Sequence, residues 1–537
     1  MKFRKAGSLL LLMLLLLSGV TAEESLSIVA APLVQGSDTP RDGTVRVRLL
    51  SLGSNPSSLT LTAVGGMTVS GGKTLTLSGG ERVTLSHSSA SGEIRLTRGG
   101  ETYTMGREAV FRRTQTDGGF RLAQARRPQN TYPADLHLVS KLESGTYRLY
   151  VVAHVYLETY LYGVVPYEMG SSSALEALKA QAVAARTYTL RAMDANRAKV
   201  FDVVDTTADQ VYNGSPAARD RSADAVDATR GIVLTSGGAL IGAYYTASNG
   251  GQTESARNAW GSSGVDYLSV KDDPFDRQNP YSSTRKLTIY ADFAHASQHQ
   301  TLKRLLQAKL PDATILRIEA VTPHTPKYAA PSRLYTKLDF TVTALESGET
   351  RSRTLTFDIF GELESALSLS INSTKNELWS VAQTGETFLL TVGRFGHGIG
   401  MSQRGAQQMA NMGYTYDQIL GFYYEQCTRT QYTFTHAFAS PAASAPVTAT
   451  PSAAATSTAP TATPSPAPTS DYTFEAWVTQ GDTPLRLDAA DGAAVIEYLP
   501  RGASVTVLHQ DGDWCFALSG DLAGYVRAEQ LSCEQPE

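Results

Sequence analysis

Residues 438–470 form a Pro/Ala/Thr/Ser tract that contains no charged residue. Such a composition cannot bury enough apolar surface to offset the entropy of ordering a chain, so this segment is not the interior of a domain. Whatever the rest of the chain folds into, it folds as separate pieces on either side of the tract. The tract itself reads as a linker, open to glycosylation.

At 537 residues the chain is long enough for several domains and a sizeable core, and its hydrophobic content of 42% is ordinary for globular protein. Lys2, Arg4 and Lys5 precede an apolar run at 9–17 and then Val20-Thr21-Ala22, the charge, core and small-residue order of a secretory signal. The expectation is a signal peptide at 1–22 and an exported protein. That run is too short to span a bilayer and no later stretch approaches about 20 apolar residues, so no transmembrane anchor is expected after signal cleavage. No Cys follows the leader, so no lipid anchor is expected there.

Loss of the leader takes the formal net charge from −4 to −7. Residues 471–537 hold twelve acids against three arginines, so the remainder of the mature chain is close to neutral. Phosphate neutralisation needs clustered Lys and Arg, which excludes nucleic acid as a partner. The three cysteines, Cys427, Cys515 and Cys533, are too few for a disulfide scaffold. Cys515 and Cys533 fall together in the tail of an exported protein, where a disulfide that leaves Cys427 over and three buried unpaired thiols are both open readings.

Between 26 and 126 short apolar/polar alternations are punctuated by Gly65-Gly66, Gly71-Gly72, Gly79-Gly80 and Gly99-Gly100, which predicts a β-meander within a β-rich region at 23–135. The strand pattern at 147–156 runs directly into Tyr160-Leu161-Tyr162-Gly163-Val164-Val165-Pro166-Tyr167-Glu168-Met169. Ser173 followed by Glu176 is a capping-box spacing, placing a helix start near Ala174 and leaving Glu168 just before it, across a short loop. A mixed segment at 286–383, with a helix near 291–309 and strands at 338–342 and 354–357, reads as a scaffold or clamp. Two short helices are expected at 403–411 and 416–424, separated by Gly413.

One carboxylate, Glu168, set before a long amphipathic helix is a candidate acid/base group. Roughly 210 residues later stands Gly393-Arg394-Phe395-Gly396-His397-Gly398-Ile399-Gly400-Met401-Ser402-Gln403-Arg404-Gly405-Ala406, where small residues allow close approach to a ligand. Together with Val226-Asp227-Ala228-Thr229-Arg230-Gly231 and Tyr244-Tyr245-Thr246-Ala247-Ser248-Asn249-Gly250-Gly251-Gln252-Thr253-Glu254, these ordered runs resemble the SpoIID/LytB family over roughly residues 140–435. Residues 471–537 resemble a bacterial SH3-like domain through Leu485-Arg486-Leu487, Val505-Thr506-Val507-Leu508, Trp514 and Gly524-Tyr525-Val526. The expected class is therefore α+β: a mixed-strand catalytic domain at 136–437, the linker, and a small all-β tail.

The resemblance implies a secreted, wall-associated lytic transglycosylase acting on peptidoglycan glycan strands with Glu168 as general acid/base. It implies a preference for glycan stripped of stem peptides, and so an N-acetylmuramoyl-L-alanine amidase as functional partner. Relatives that enhance an amidase keep similar sequence, so a non-catalytic wall-binding amidase enhancer is the alternative. A third reading is a two-carboxylate hydrolase with Asp202, Asp205 or Glu254 as partner. Gln181 and Arg186 suit acetamido or lactyl recognition, or helix-to-sheet hydrogen bonds. Ser248, Gly250 and Gly251 form either a ligand-facing or a plain turn. His397, held between glycines, favours a substrate or orienting role; Ser402 caps the next helix; Gln403 is a sugar contact or a structural amide. Relatives carry a His where Thr246 stands, so no zinc site of that kind and no cofactor is expected. His295 and His299, four apart with no third ligand, read as a solvated face.

Overall fold

Alternation decides the front half of the chain. In Thr44–Arg48, Val45 and Val47 point to the core, and in Arg82–His87, Val83 and Leu85 do the same, as the two-residue repeat of a strand requires. The computed structural model describes residues 28–36, 39–263, 265–292, 300–435, 474–486, 491, 495–511, 513–519 and 522–532. The signal segment, the linker, the two histidines His295 and His299, and Cys533 lie outside the described residues.

The fold is α+β, and the chain divides into two compact units, Met1–Ala443 and Ser444–Glu537. In the first, a seven-stranded sheet runs in the order Val203–Val204, Thr44–Arg48, Thr146–Tyr156, Asp135–Glu143, Glu108–Arg113, Met67–Ser70, Leu75–Leu77. A five-stranded sheet pairs Gly119–Leu122, Ser58–Val64, Arg82–His87, Ile94–Arg98 and Glu101–Gly106. Both contribute to one hydrophobic core, which continues into the helical region.

The hairpin from Asp135↔His154 to Glu143↔Thr146 is in unbroken register and delivers the chain into three consecutive helices: α1 (Leu157–Tyr162), α2 (Val165–Met169) and α3 (Leu175–Ala195). Helix α3 is buried on nearly all sides, and Ala177, Ala180, Ala182, Ala184 and Ala185 let neighbours pack against its backbone. Its start differs from the capping-box expectation. Ala174 is the N-cap and no side chain caps the helix. Ser173 Oγ instead donates to the Met169 carbonyl at 2.8 Å, and Glu176 accepts the Tyr416 amide at 2.7 Å. A carbonyl four residues back and a distant amide thus take the two halves of the motif. Glu168 itself sits within α2, and only residues 170–174 separate that helix from α3.

Further on come α4 (Arg221–Ala228), capped by the Asp220 carboxylate, α5 (Ala256–Trp260), α6 (Pro274–Gln278), α7 (Gln300–Lys309), α8 (Gln403–Asn411) and α9 (Tyr416–Tyr423). Helix α7 covers the described end of the helix expected at 291–309. Gly413, at φ 89°, follows the end of α8. Between α6 and α8 the chain builds a second core under two three-stranded sheets, one of Thr284–Tyr290, Thr387–Gly393 and Leu378–Thr384, the other of Thr314–Pro326, Tyr335–Glu346 and Glu349–Asp358. The expected strands at 338–342 and 354–357 lie inside the last two.

The smaller unit is a seven-stranded sheet whose core includes Ala476, Val478, Leu485, Val505, Val507 and Val526. Cys515 is buried within it.

Candidate active site

Glu168 reaches its place through short local steps. Pro166 stands in the first turn of α2, where its missing N–H costs nothing, and Gly170 at φ 81° turns the chain toward α3. The Glu168 carboxylate accepts the Val211 amide on Oε1 at 2.8 Å and the Gln403 amide group on Oε2 at 3.3 Å. The same Gln403 Nε2 donates to Gln181 Oε1 at 3.3 Å, so Gln181 braces the glutamine that touches the acid. Burial pushes the Glu168 carboxyl above its ordinary value, and the Val211 amide and Gln403 only partly offset this. A protonated carboxyl near neutrality is what a general acid needs.

The glycine-rich block arrives from the strand Thr387–Gly393. It pairs with the 244–254 run through Tyr245↔Met401, Thr246↔Ser402, Ser248↔Phe395 and Glu254↔Ile399. Arg394 is fully buried in a strained conformation, φ 104°, held by the carbonyls of Asn249, Gln252 and Asn376 at 2.8–3.2 Å. Its guanidinium lies over Gly398, where a Cβ would come within 2.7 Å of Nε, so that glycine is required. His397 Nδ1 accepts the Ile399 amide at 3.0 Å, and burial brings the imidazole down to about 4, leaving it neutral at physiological pH.

Glu168, Asp209, Tyr188, Tyr244, Trp260, His397 and Gln403 line one cavity of about 320 Å³. Tyr244 meets Trp260 at 4.8 Å between centroids and Trp260 meets His397 at 5.2 Å, making an aromatic wall. Asp209 accepts the Tyr188 hydroxyl at 2.6 Å and the Val204 amide at 2.7 Å. A carboxyl raised by burial, a neutral imidazole, a second carboxylate and aromatic faces together suit acid/base chemistry on a flat, hydroxylated ligand.

Of the residues expected from sequence, Glu168, His397 and Gln403 come together here, with Gln181 directly behind. The others do not line this cavity. Arg186 is fully buried, forks onto the Glu158 carboxylate at 2.9 and 2.7 Å, and donates to the Val226 and Ile232 carbonyls, leaving no face for a sugar. Ser248 is buried and donates to Asp276 at 2.9 Å. Ser402 caps α8 and also donates to Asp276, at 2.6 Å. Neither Gly250 nor Gly251 lines the cavity, and Gly250 lines a different cleft. Asp202 is bound to Arg46, Asp205 to Ser51, and Glu254 to Asn258 and Ser332, so none of the three faces the cavity. The second carboxylate is Asp209. It was missed, together with the aromatic wall, because nothing local distinguishes an Asp in a loop or a Trp in a five-residue helix. Tyr244 alone stood within a motif run. Thr246 donates to the Phe395 carbonyl at 3.1 Å.

The chain resembles known proteins over this region. The family model described as SpoIID, stage II sporulation protein, matches residues 146–236. Stage II sporulation protein D of Bacillus subtilis (strain 168) is 32% identical over 290 residues, covering 51% of this chain and 74% of that protein. The counterpart in Bacillus amyloliquefaciens is 30% identical with the same coverage. The amidase enhancer of Bacillus subtilis (strain 168) is 32% identical over 294 residues, but the match spans only 40% of that relative's length.

Proposed function

Since this chain belongs to the SpoIID/LytB family, we propose that it is an exported peptidoglycan lytic transglycosylase, cutting glycan strands between N-acetylmuramic acid and N-acetylglucosamine. The observation that carries the reading is the Glu168 carboxyl, raised by burial and placed beside an aromatic wall in a sugar-sized cavity. Glu168 donates its proton to the glycosidic oxygen as the bond to the anomeric carbon breaks. The muramic acid's own 6-hydroxyl then attacks that carbon and returns its proton to the Glu168 carboxylate. One glutamate serves both steps, no water is consumed, and the product carries a 1,6-anhydro end. The Val211 amide and Gln403 hold the anion between the steps, Tyr244 and Trp260 offer faces for sugar rings, and the Asp209 anion favours positive charge developing at the anomeric carbon. In this reading the leader directs export, and the tail holds the enzyme to the wall by an SH3-like fold whose acidity disfavours anionic wall polymers as its ligand. Among the described residues no helix is long and apolar enough to cross a membrane.

Mass spectrometry of soluble products from intact and amidase-stripped peptidoglycan tests this. Wild type should release products lighter by one water than hydrolytic fragments, and Glu168→Gln should release at least about 100-fold less. Equal yields from the two proteins would sink the mechanism. Free reducing ends would instead point to hydrolysis with Asp209 as the second carboxylate. The name of the amidase-enhancer relative supports a second reading, a non-catalytic wall-binding modifier. Wall binding with no soluble product from either substrate would select it.

A further inference from the structure

Two of the groups nearest the chemistry come from a stretch of chain without regular structure. Residues 205–214 belong to no helix or strand, yet they supply Asp209 to the cavity lining and the Val211 amide to Glu168 Oε1, at 2.8 Å. Loops are ordinarily the most mobile part of a fold, whereas an N–H that stabilises a reacting carboxylate has to be aimed in advance. This loop therefore needs an anchor.

The residue between the two is Gln210. Its side chain is fully buried and lines no part of the cavity. Oε1 accepts the Tyr160 hydroxyl at 3.1 Å and the Thr189 hydroxyl at 2.7 Å, and Nε2 donates to the Ala185 carbonyl at 3.2 Å. Tyr160 belongs to α1, which leads into α2 and Glu168, while Ala185 and Thr189 belong to α3. One amide thus ties the loop to both helices. Val211 N is bonded to the carbonyl carbon of Gln210 in a planar peptide, so fixing Gln210 fixes one end of the unit that points at Glu168. Asp209, on the other side, is held from α3 by Tyr188, the residue before Thr189. Tyr212 packs against Tyr132 and Tyr160, an apolar contact that sets position without direction. An apolar side chain could fill the Gln210 site without the cost of desolvating an amide, so what the glutamine adds there is directed bonds.

We propose that Gln210 is a positioning residue, holding through Tyr160, Thr189 and Ala185 the peptide that aims the Val211 amide at the Glu168 carboxyl. The proposal rests on the transglycosylase reading of Glu168. Gln210 acts only through the Val211 amide, whose hydrogen bond opposes the rise that burial imposes on Glu168 and holds the anion between the two proton transfers. With the amide released, the carboxyl keeps its proton to higher pH and the anion is held less well. The other titratable groups around Glu168 are Asp209, Tyr188, Tyr244, Tyr245 and His397 in the lining, and the buried Tyr160. Burial raises the hydroxyls of Tyr160, Tyr188 and Tyr245 further above neutrality and brings the His397 imidazole down to about 4, so these four do not set the alkaline limb.

Two routes release the amide without altering the cavity lining. Gln210→Met removes all three bonds and keeps the length of the side chain. Thr189→Val with Tyr160→Phe keeps Gln210 and the packing, and removes both hydroxyls that donate to it. With glycan strands as substrate, each variant should lose about 10-fold or more in kcat at unchanged KM, and the alkaline limb of kcat/KM should move upward. Hydrogen exchange at the Val211 amide should quicken in both, while exchange along α3 stays as in wild type. Should Gln210→Met not fold, the double variant decides. A lower melting temperature with kcat, limb and Val211 exchange all unchanged would make Gln210 a packing residue only, and overturns the proposal. If wild type makes no anhydro product, the transglycosylase reading fails, and exchange at Val211 alone decides whether Gln210 positions the amide: faster exchange in the variants upholds it, and exchange at the wild-type rate overturns it.

Discussion

Glu168 is pulled in two directions, upward by burial and downward by the Val211 amide and Gln403. Because the reaction needs it protonated, activity should fall as pH rises through its folded value. Gln403→Leu removes one donor to the anion, so the carboxyl should hold its proton to higher pH. The alkaline limb of the kcat/KM profile should move upward while kcat falls, since the anion between the two steps loses a hydrogen bond. A limb that stays in place would show that Glu168 is not the group being titrated. His397, brought down to about 4, should add no limb of its own between pH 5 and 8. The same burial has a stability consequence. A carboxyl raised in the folded state binds its proton more tightly there than in the unfolded chain, so its contribution is full below the unfolded value and lost as pH rises through the folded one. Glu168→Gln should accordingly melt higher than wild type above neutrality and match it in acid, which a melting series across pH would show.

Helices α1 and α3 are tied by the Arg186–Glu158 pair, at 0% and 1% side-chain exposure. Removing one partner of a buried pair strands the other charge, at a cost of about 3–5 kcal/mol. Arg186→Met should therefore lower stability by roughly that amount in denaturant titration, and Arg186→Met with Glu158→Leu should recover much of it. A sugar-binding arginine would behave oppositely, raising KM at unchanged stability. This residue also shows where sequence stops being legible. The strand leading to the first motif, the two helices after the glycine block and Gly413 between them follow from periodicity and local turn chemistry, and they stand where the residues indicate. From sequence Arg186 suits a lactyl group and helix-to-sheet hydrogen bonding equally, and only distant partners, Glu158 at 28 positions and the Ile232 carbonyl, decide between them. Ser173 and Glu176 had the spacing of a cap, yet Gln407 donates to Ser173 at 2.8 Å from 234 positions away, and tertiary contacts of that kind outweigh a local motif. Asp209 and Trp260 reach the cavity through the path of the chain alone.

At the scale of the larger unit, the second core holds the loop that carries His397. The Glu377 carboxylate accepts the amides of Asn372 and Asn376, at 3.2 and 3.0 Å. Asn376 in turn accepts from Arg394 at 3.2 Å and donates to the Gly396 carbonyl at 2.9 Å, one residue from His397. Behind Glu377 stands Glu364, buried, its carboxyl pushed up to about 7 by desolvation and by the Glu377 charge. Two carboxylates in contact cannot both ionise cheaply, so the pair keeps a proton in the folded state. The sign follows from linkage: an ordinary glutamate near 4.5 raised to about 7 stabilises the fold fully below 4.5, progressively less above it, and not at all beyond 7. Above neutrality the added charge should strain the clamp on Gly396 and Arg394, and through them the position of His397. Glu364→Gln keeps a hydrogen-bonding side chain of the same shape and removes the second charge. Its melting temperature should decline less than that of wild type between pH 5 and 8, and hydrogen exchange at residues 394–398 should slow relative to wild type at pH 8. Parallel melting curves for the two proteins across that range would mean that the pair shares no proton and that the clamp on His397 is indifferent to pH.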